Sequence, residues 1–128
     1  MTGHRILVVE DNERNLKLVR DVLQYAGFEV LEARSGEQGV ELAVQHLPHL
    51  VLMDLTLPGI GGENALRLIR ADERTRRIPV VALTASAMQP DRARVLLAGF
   101  DGYLEKPISV RAFPGQVREF LTGNHTDE

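Results

Sequence analysis

Short apolar runs alternate with longer segments of helical periodicity along the chain, and this alternation limits the folds open to it. The first, third and fourth runs are apolar throughout, as is typical of central parallel strands covered on both faces. The second alternates apolar and polar residues, which favours a strand nearer the edge. The runs span residues 6–9, 28–33, 50–53, 80–83 and 103–104.

Amphipathic segments separate these runs. Leu16, Val19 and Leu23 mark one face of the first helix, and Gly27 stands where a C′ residue would end it. A capping box at residues 35–38 opens the second helix, which is expected to stop before Pro48. The remaining helices are marked by Leu66 and Ile69, by Ala93, Leu96 and Leu97, and by Phe113, Val117, Phe120 and Leu121.

A strand followed by a helix thus recurs five times. This order predicts a parallel sheet with helices on both faces and right-handed crossovers. The length of 128 residues suits one domain. We expect that domain over residues 1–122 and a polar tail over residues 123–128. An initial Met1 and a short tail favour a complete chain.

Composition excludes several classes of protein. Without cysteine there is no disulfide and no thiolate metal site, which suits the cytoplasm. No apolar run is long enough to span a bilayer, and the N-terminus lacks the features of a signal peptide. The net charge of -3 and scattered basic residues argue against direct nucleic-acid binding. The one small basic group is Arg70, Arg74, Arg76 and Arg77.

Polar residues follow four of the five runs. Glu10 and Asp11 follow the first, Asp54 the third, Thr84 the fourth and Lys106 the fifth. In open α/β sheets, ligands bind outside the carboxyl ends of the strands. Three carboxylates, a hydroxyl and an ammonium are therefore expected at one edge of the sheet.

Each of these residues also has a structural explanation as a helix cap, a turn residue or a solvated charge. Three adjacent carboxylates, however, repel one another and cost stability. A hard dication such as Mg²⁺ offsets that repulsion, and it binds through one or two carboxylates, waters and a phosphoryl group. An ammonium beside them suits an additional anion. The set fits phosphoryl transfer, which depends on positioning and charge stabilisation.

These motifs resemble those of response regulator receiver domains, the CheY-like superfamily, across essentially the whole chain. Residues 9–18 and 106–110 resemble in particular the DivK-type single-domain regulators. The matching motifs are the acidic pair in Val9-Glu10-Asp11-Asn12, the phosphoacceptor loop at residues 53–59, Leu83-Thr84-Ala85 and Glu105-Lys106-Pro107.

The resemblance implies that Asp54 accepts a phosphoryl group from a histidine of a kinase or phosphotransfer protein. It implies that Asp11, Asp54 and the backbone carbonyl of Thr56 ligate Mg²⁺ directly, while Glu10 acts through water. Mn²⁺ is expected to substitute for Mg²⁺. Lys106 would pair with a phosphoryl oxygen.

The resemblance also implies a switch and a fold. Thr84 would turn inward and Tyr103 would follow, reshaping the surface of the fourth helix, fifth strand and fifth helix for an unknown downstream protein. The bond between Lys106 and Pro107 is expected to be cis. The fold would be doubly wound and flavodoxin-like, of the CheY-like (βα)₅ type, with strand order 2-1-3-4-5.

Two features depart from the family's pattern. The pair Gly61 and Gly62 is expected to loosen the entry to the third helix. Pro114 falls early in a fifth helix capped by Ser109, where it cannot donate the helical hydrogen bond. That helix is therefore expected to begin near Phe113 or to kink, placing a distinct edge on the output surface.

Alternative functions remain open from the sequence. The chain could be the receiver portion of a hybrid histidine kinase, or a degenerate receiver that only binds protein. A haloacid dehalogenase-type phosphohydrolase is disfavoured, because Thr56 stands where that family has a second aspartate. We expect self-phosphorylation and autodephosphorylation without turnover of a separate substrate.

Overall fold

The structure, a computed structural model, describes residues 3–57, 59–84 and 89–122, with the side chains of residues 89–92 excepted. Pro58, Ala85 and the expected tail, 123–128, lie outside the described residues. Over the described ranges, strands and helices alternate as predicted. They are β1 (Arg5–Val9), α1 (Glu13–Tyr25), β2 (Glu29–Ala33), α2 (Gly36–His46), β3 (Leu50–Asp54), α3 (Gly61–Ala71), β4 (Val80–Thr84), α4 (Gln89–Leu97), β5 (Gly102–Glu105) and α5 (Phe113–Thr122).

All strand pairs are parallel, and the sheet order is β2-β1-β3-β4-β5, which confirms the expected doubly wound topology. Every residue of β3 and β4 is buried, whereas β2 is a partly exposed edge strand. Asp54 pairs with Leu83 and Thr84 pairs with Glu105, so the carboxyl ends of neighbouring strands align at one edge.

The sheet separates two hydrophobic cores. On one face α1 and α5, here the α1–α5 layer, cover strand residues such as Ile6 and Leu52. On the other face α2, α3 and α4, here the α2–α3–α4 layer, cover Leu7 and Met53. Alternation of side chains along each strand divides the residues between the two cores. None of the described helices is long and apolar enough to cross a bilayer.

The helix ends largely follow the predicted signals. Gly27 follows the C-cap of α1 with φ of 100°, as expected for a C′ residue. The Ser35 side chain caps α2 by accepting a hydrogen bond of 3.1 Å from the backbone N–H of Gln38. The predicted capping box is incomplete, because the Gln38 side chain accepts from the N–H of Arg34 instead of that of Ser35.

The predicted buried face of α4 is wrong. Val95 is the buried residue, whereas Ala93 is exposed and Leu96 and Leu97 are 49% and 87% exposed. Successive helical residues are rotated by about 100°. A helix that presents Val95 to the core therefore turns Leu97 toward solvent.

Helix α5 begins at Phe113 with Pro114 in its first turn, as predicted. The Ser109 hydroxyl accepts a hydrogen bond of 3.2 Å from the N–H of Ala112, so it caps the turn that precedes the helix. Pro114 lines a groove with Leu18 of α1. Its expected position on the α4–β5–α5 output surface is therefore wrong, because the rotation of α5 turns this side chain toward α1.

Candidate functional site at the carboxyl edge of the sheet

The carboxylates of Glu10, Asp11 and Asp54 converge at the carboxyl edge. Each offers an oxygen, and these oxygens all lie within 4.8 Å of one another. Adjacent strands bring them together, because Glu10 and Asp11 follow β1 and Asp54 ends β3. Glu10 and Asp54 are buried and Asp11 is exposed, so the group has one side open to solvent. This donor set could hold a hard cation that retains some of its waters.

The two oxygens of Asp54 have different environments. Oδ1 accepts hydrogen bonds of 3.0 Å from both the backbone N–H and the hydroxyl of Thr56. Oδ2 lies 3.3 Å from Nζ of Lys106. The family resemblance implies only a backbone carbonyl role for Thr56, so the contact of its side chain with Asp54 was not predicted. Asp followed two residues later by Thr is a local turn pattern that could have indicated this contact.

Glu10 is fully buried at the base of the group. Its Oε2 accepts from the backbone N–H of Asn12 at 3.1 Å, and its Oε1 lies 3.2 Å from Nζ of Lys106. The neighbouring Asn12 caps α1 by accepting from the N–H of Asn15. The acidic segment after β1 therefore combines a helix cap with site residues.

The pKa values of Glu10 and Asp54 are displaced in opposite directions. Burial raises the pKa of Glu10, and its hydrogen bond with Asp54 raises it further. Burial would also raise the pKa of Asp54, but the Thr56 N–H, the Glu10 carboxyl and the Lys106 ammonium together lower it. Of the two carboxyls, Asp54 is therefore the more readily ionised.

Lys106 reaches the site from beyond β5, and only 16% of its side chain is exposed. Burial alone would lower its pKa, but the carboxylates of Asp54 and Glu10 raise it, so the amine stays charged. Its backbone N–H donates to the Thr84 carbonyl at 2.7 Å. The Lys106–Pro107 bond is cis, the isomer that the resemblance implies.

Thr84 and Tyr103 lie on neighbouring strands near this edge. Thr84 is buried at the end of β4, where it lines a cavity of about 420 Å³ together with Thr56 and Gly62. Tyr103 on β5 is half-buried and packs against the core of the α2–α3–α4 layer. The hydroxyl and the aromatic ring thus occupy the side of the sheet that bears α4.

The two glycines at the start of α3 have different roles. Gly61 adopts φ of 83°, and a β-carbon there would meet nothing within 4 Å. A β-carbon at Gly62 would lie 2.8 Å from the carbonyl oxygen of Asp54 and 3.2 Å from Cα of Leu55. Contrary to the prediction from the sequence, Gly62 therefore does not loosen the start of α3. Its lack of a side chain lets α3 pack directly against the backbone of Asp54. Sequence reasoning missed this support.

The chain is similar to known proteins over most of its length. The model of the response regulator receiver domain matches residues 6–118. Polar-differentiation response regulator DivK from Brucella ovis is 41% identical over 116 residues, covering 91% of this chain and 94% of that protein. The Brucella anthropi DivK is 40% identical over the same share of both chains.

Solved structures show the same fold. The receiver domain of sensor histidine kinase PA1611 from Pseudomonas aeruginosa has a magnesium ion coordinated in its active-site cleft. It is 37% identical, with a TM-score of 0.87 over 94% of this chain and 99% of that one. Chemotaxis response regulator CheY4 of Vibrio cholerae is 22% identical, with a TM-score of 0.86 over 92% and 98% of the two chains. The latter shows the fold alone.

The family model and the DivK relatives match the sequence, and the receiver domain of PA1611 matches the alternating fold. These matches cover more than nine-tenths of the chain in the relatives named. They confirm the resemblance drawn from the sequence motifs. The chain belongs to the receiver domain family of two-component response regulators.

Proposed function

We propose that Asp54 is the phosphoacceptor and that it takes its phosphoryl group from a histidine of a kinase or phosphotransfer protein. The main supporting observation is the environment of Asp54, which is buried, has a lowered pKa and lies 3.3 Å from the Lys106 ammonium. An ionised carboxylate is the nucleophile that this transfer needs. A fixed cation beside it suits an incoming phosphoryl dianion.

We assign a divalent metal to the carboxylate group. Asp11, Asp54 and the Thr56 carbonyl would hold Mg²⁺ directly, with Glu10 acting through water and Mn²⁺ as a substitute. The donor set fits, because it is made of oxygens and includes one exposed carboxylate that leaves room for waters. When bound, the dication supplies positive charge that offsets the repulsion between the carboxylates and the phosphoryl group.

Residues of this chain perform the transfer of the phosphoryl group to Asp54. A carboxylate oxygen of Asp54 forms a bond to phosphorus while the phosphorus–nitrogen bond of the phosphohistidine breaks, and the electron pair leaves with the imidazole. Lys106 balances charge on the phosphoryl oxygens, and the two Thr56 hydrogen bonds orient the nucleophile. Water later attacks the phosphorus and returns the Asp54 carboxylate and inorganic phosphate.

The output follows from Thr84 and Tyr103. Thr84 would bond a phosphoryl oxygen, Tyr103 would turn into the space it leaves, and the α4–β5–α5 surface would change for a downstream protein. The activity is limited to this self-phosphorylation and autodephosphorylation, in the cytoplasm. A phosphohydrolase mechanism lacks support, because the Thr56 hydroxyl donates to Asp54 where a general acid would be needed.

Mass spectrometry after treatment with acetyl phosphate tests this assignment. We expect one added phosphoryl group in the presence of Mg²⁺, lost with EDTA and lost in Asp54→Asn. Asp21→Asn is the matched control, because it makes the same change on the exposed face of α1 and should label normally. Full labelling of Asp54→Asn would remove Asp54 as the phosphoacceptor.

A further inference from the structure

Two ion pairs tie α4 and the loop that follows it to α3. Near the carboxyl edge of the sheet, Nε of Arg94 on α4 lies 3.1 Å from a carboxylate oxygen of Glu63 in the first turn of α3. At the amino edge, the guanidinium of Arg70 in the last turn of α3 lies 2.7 Å from Oδ2 of Asp101, between α4 and β5. The position of α4 relative to α3 is therefore held at two separate points.

The pair at the amino edge belongs to a larger network. The Arg70 guanidinium also donates to the carbonyls of Ile78 at 2.7 Å and Gly99 at 3.2 Å. Oδ2 of Asp101 also accepts from the backbone N–H of Val80 at 2.8 Å. The end of α3, the start of β4 and the loop after α4 are thus bonded together, so this point of attachment is fixed.

The pair near the carboxyl edge has no such support. Neither Glu63 nor Arg94 makes a further side-chain hydrogen bond or ion pair with a described residue. The Glu63 side chain is 32% exposed and the Arg94 side chain is 70% exposed, so water competes for both. Breaking this pair costs little, and the contact can open and close while the rest of α3 stays in place.

Packing restrains α4 only weakly. Among residues 93–97, the described side chains of this helix, Val95 alone is buried, whereas α1 buries four side chains. Glu63 and Arg94 also line the cavity of about 420 Å³ that reaches Thr84, so open space lies between the start of α3 and α4. An element with few buried apolar contacts and free space beside it moves at low cost.

The start of α3 lacks this freedom. Gly62 precedes Glu63 and packs against the backbone of Asp54, where even a β-carbon would lie 2.8 Å from the carbonyl oxygen. The Glu63–Arg94 pair thus joins a weakly packed helix to a segment that is fixed at the phosphorylation site. A contact of that kind favours the one position of α4 in which it forms.

We propose that the Glu63–Arg94 ion pair is an autoinhibitory contact, which holds α4 in its position in the unphosphorylated protein. The inference rests on the proposed function, since it assigns a regulator to the switch of Thr84 and Tyr103. Because that switch reshapes the α4–β5–α5 surface, α4 must leave the position that the pair favours. An exposed pair shifts such an equilibrium by up to about fivefold. Its loss should favour the switched conformation and, by linkage, the phosphorylation of Asp54 by a similar factor.

Hydrogen exchange in the unphosphorylated protein tests the contact itself, without any need for phosphate. Arg94→Gln should speed exchange of the α4 amides by up to about fivefold and leave residues 99–101 unchanged, because the Arg70 network still holds them. Arg67→Gln is the matched control, an equal loss of charge on the exposed face of α3, and should change neither. Raising the salt should reproduce the faster exchange in wild type but not in Arg94→Gln.

Labelling with acetyl phosphate and Mg²⁺ tests the regulation. Glu63→Gln and Arg94→Gln should each label up to about fivefold faster than wild type, and Arg67→Gln should label at the wild-type rate. The swapped double variant, Glu63→Arg with Arg94→Glu, rebuilds the pair with the same net charge and should restore both slow exchange and slow labelling. That restoration separates the ion pair from the charge of either residue alone.

Three results would overturn the proposal. These are unchanged α4 exchange in Arg94→Gln, faster exchange with labelling at the wild-type rate, and a swapped variant that behaves like the single variants. A wild type that takes up no phosphate would contradict the proposed function, and the autoinhibitory role with it, whatever the exchange experiment shows.

Discussion

The two helical layers pack against the sheet by different means. In the α1–α5 layer the buried positions hold large side chains, such as Leu16 and Leu23 of α1 and Phe113 of α5. In α2 and the start of α3 they hold Gly36, Gly39 and Gly62, along with alanines. In the α2–α3–α4 layer, the start of α3 also contacts the backbone of Asp54, so the packing of this layer and the geometry of the site are coupled.

The close approach in α2 and α3 leaves almost no free space. A β-carbon at Gly39 would lie 2.8 Å from Cγ2 of Val9, and one at Gly36 would lie 2.9 Å from Cγ1 of Ile60. Real atoms do not approach so closely, so a larger residue would force α2 away from β1 at Gly39 and away from the start of α3 at Gly36. We therefore expect substitutions at buried positions of the α1–α5 layer to lower only the free energy of unfolding. Substitutions at the buried glycines of the α2–α3–α4 layer should also slow the phosphorylation of Asp54.

The largest stability effect should come from Phe113→Ala. The ring is fully buried between α5 and the sheet, so its loss should lower the free energy of unfolding by about 3–5 kcal/mol. Urea denaturation followed by circular dichroism measures this. Where the variant remains folded, its labelling rate with acetyl phosphate should match that of wild type. A slowed rate would show that this layer, too, is coupled to the site.

Gly62→Ala should have a smaller effect on stability and a specific effect on the site. The added β-carbon meets the backbone of Asp54 and Leu55, so overpacking should cost about 1–3 kcal/mol and slow Asp54 labelling. Gly115→Ala makes the same change in α5 where nothing lies within 4 Å. That control should keep both stability and rate. Normal labelling of Gly62→Ala would contradict the coupling.

Gly61→Ala separates conformation from space. Its φ of 83° is strained for alanine, but no atom lies within 4 Å of the added carbon. We expect a loss of about 1 kcal/mol with an unchanged labelling rate. Comparison with Gly62→Ala in the same assays decides whether steric contact or backbone strain controls the site.

The last expected effect is a dependence of Mg²⁺ affinity on pH. A raised pKa means that folded Glu10 holds its proton more tightly than unfolded Glu10, so this residue makes the metal-free protein less stable as pH rises toward that raised pKa. Bound Mg²⁺ favours the ionised form of Glu10. The affinity of the protein for Mg²⁺ should therefore fall as the pH falls through the raised pKa of Glu10, by no more than about tenfold per pH unit. Calorimetric titration with Mg²⁺ at several pH values measures the slope. Glu10→Gln should flatten it, and an unchanged slope would assign the proton to another group.

Some site residues could be predicted because they occupy strand ends. Each of them ends a strand or lies within two residues after one, and the carboxyl ends of parallel strands share one edge. They are Glu10, Asp11, Asp54, Thr84 and Lys106. The same local signals explain the late start of α5 at Phe113. The buried face of α4 could not be predicted, because a short helix with adjacent leucines fits several rotations about its axis.

The sequence by itself determined the parallel sheet, its helices and the set of polar residues at its edge, because periodicity and strand ends are local properties of the chain. Only the tertiary structure decided that Lys106 lies within 3.3 Å of both Glu10 and Asp54, residues far from it along the chain. It also decided that Gly62 supports Asp54 and that Pro114 faces α1. These outcomes depend on how elements rotate and approach one another, and that is set by packing between distant side chains.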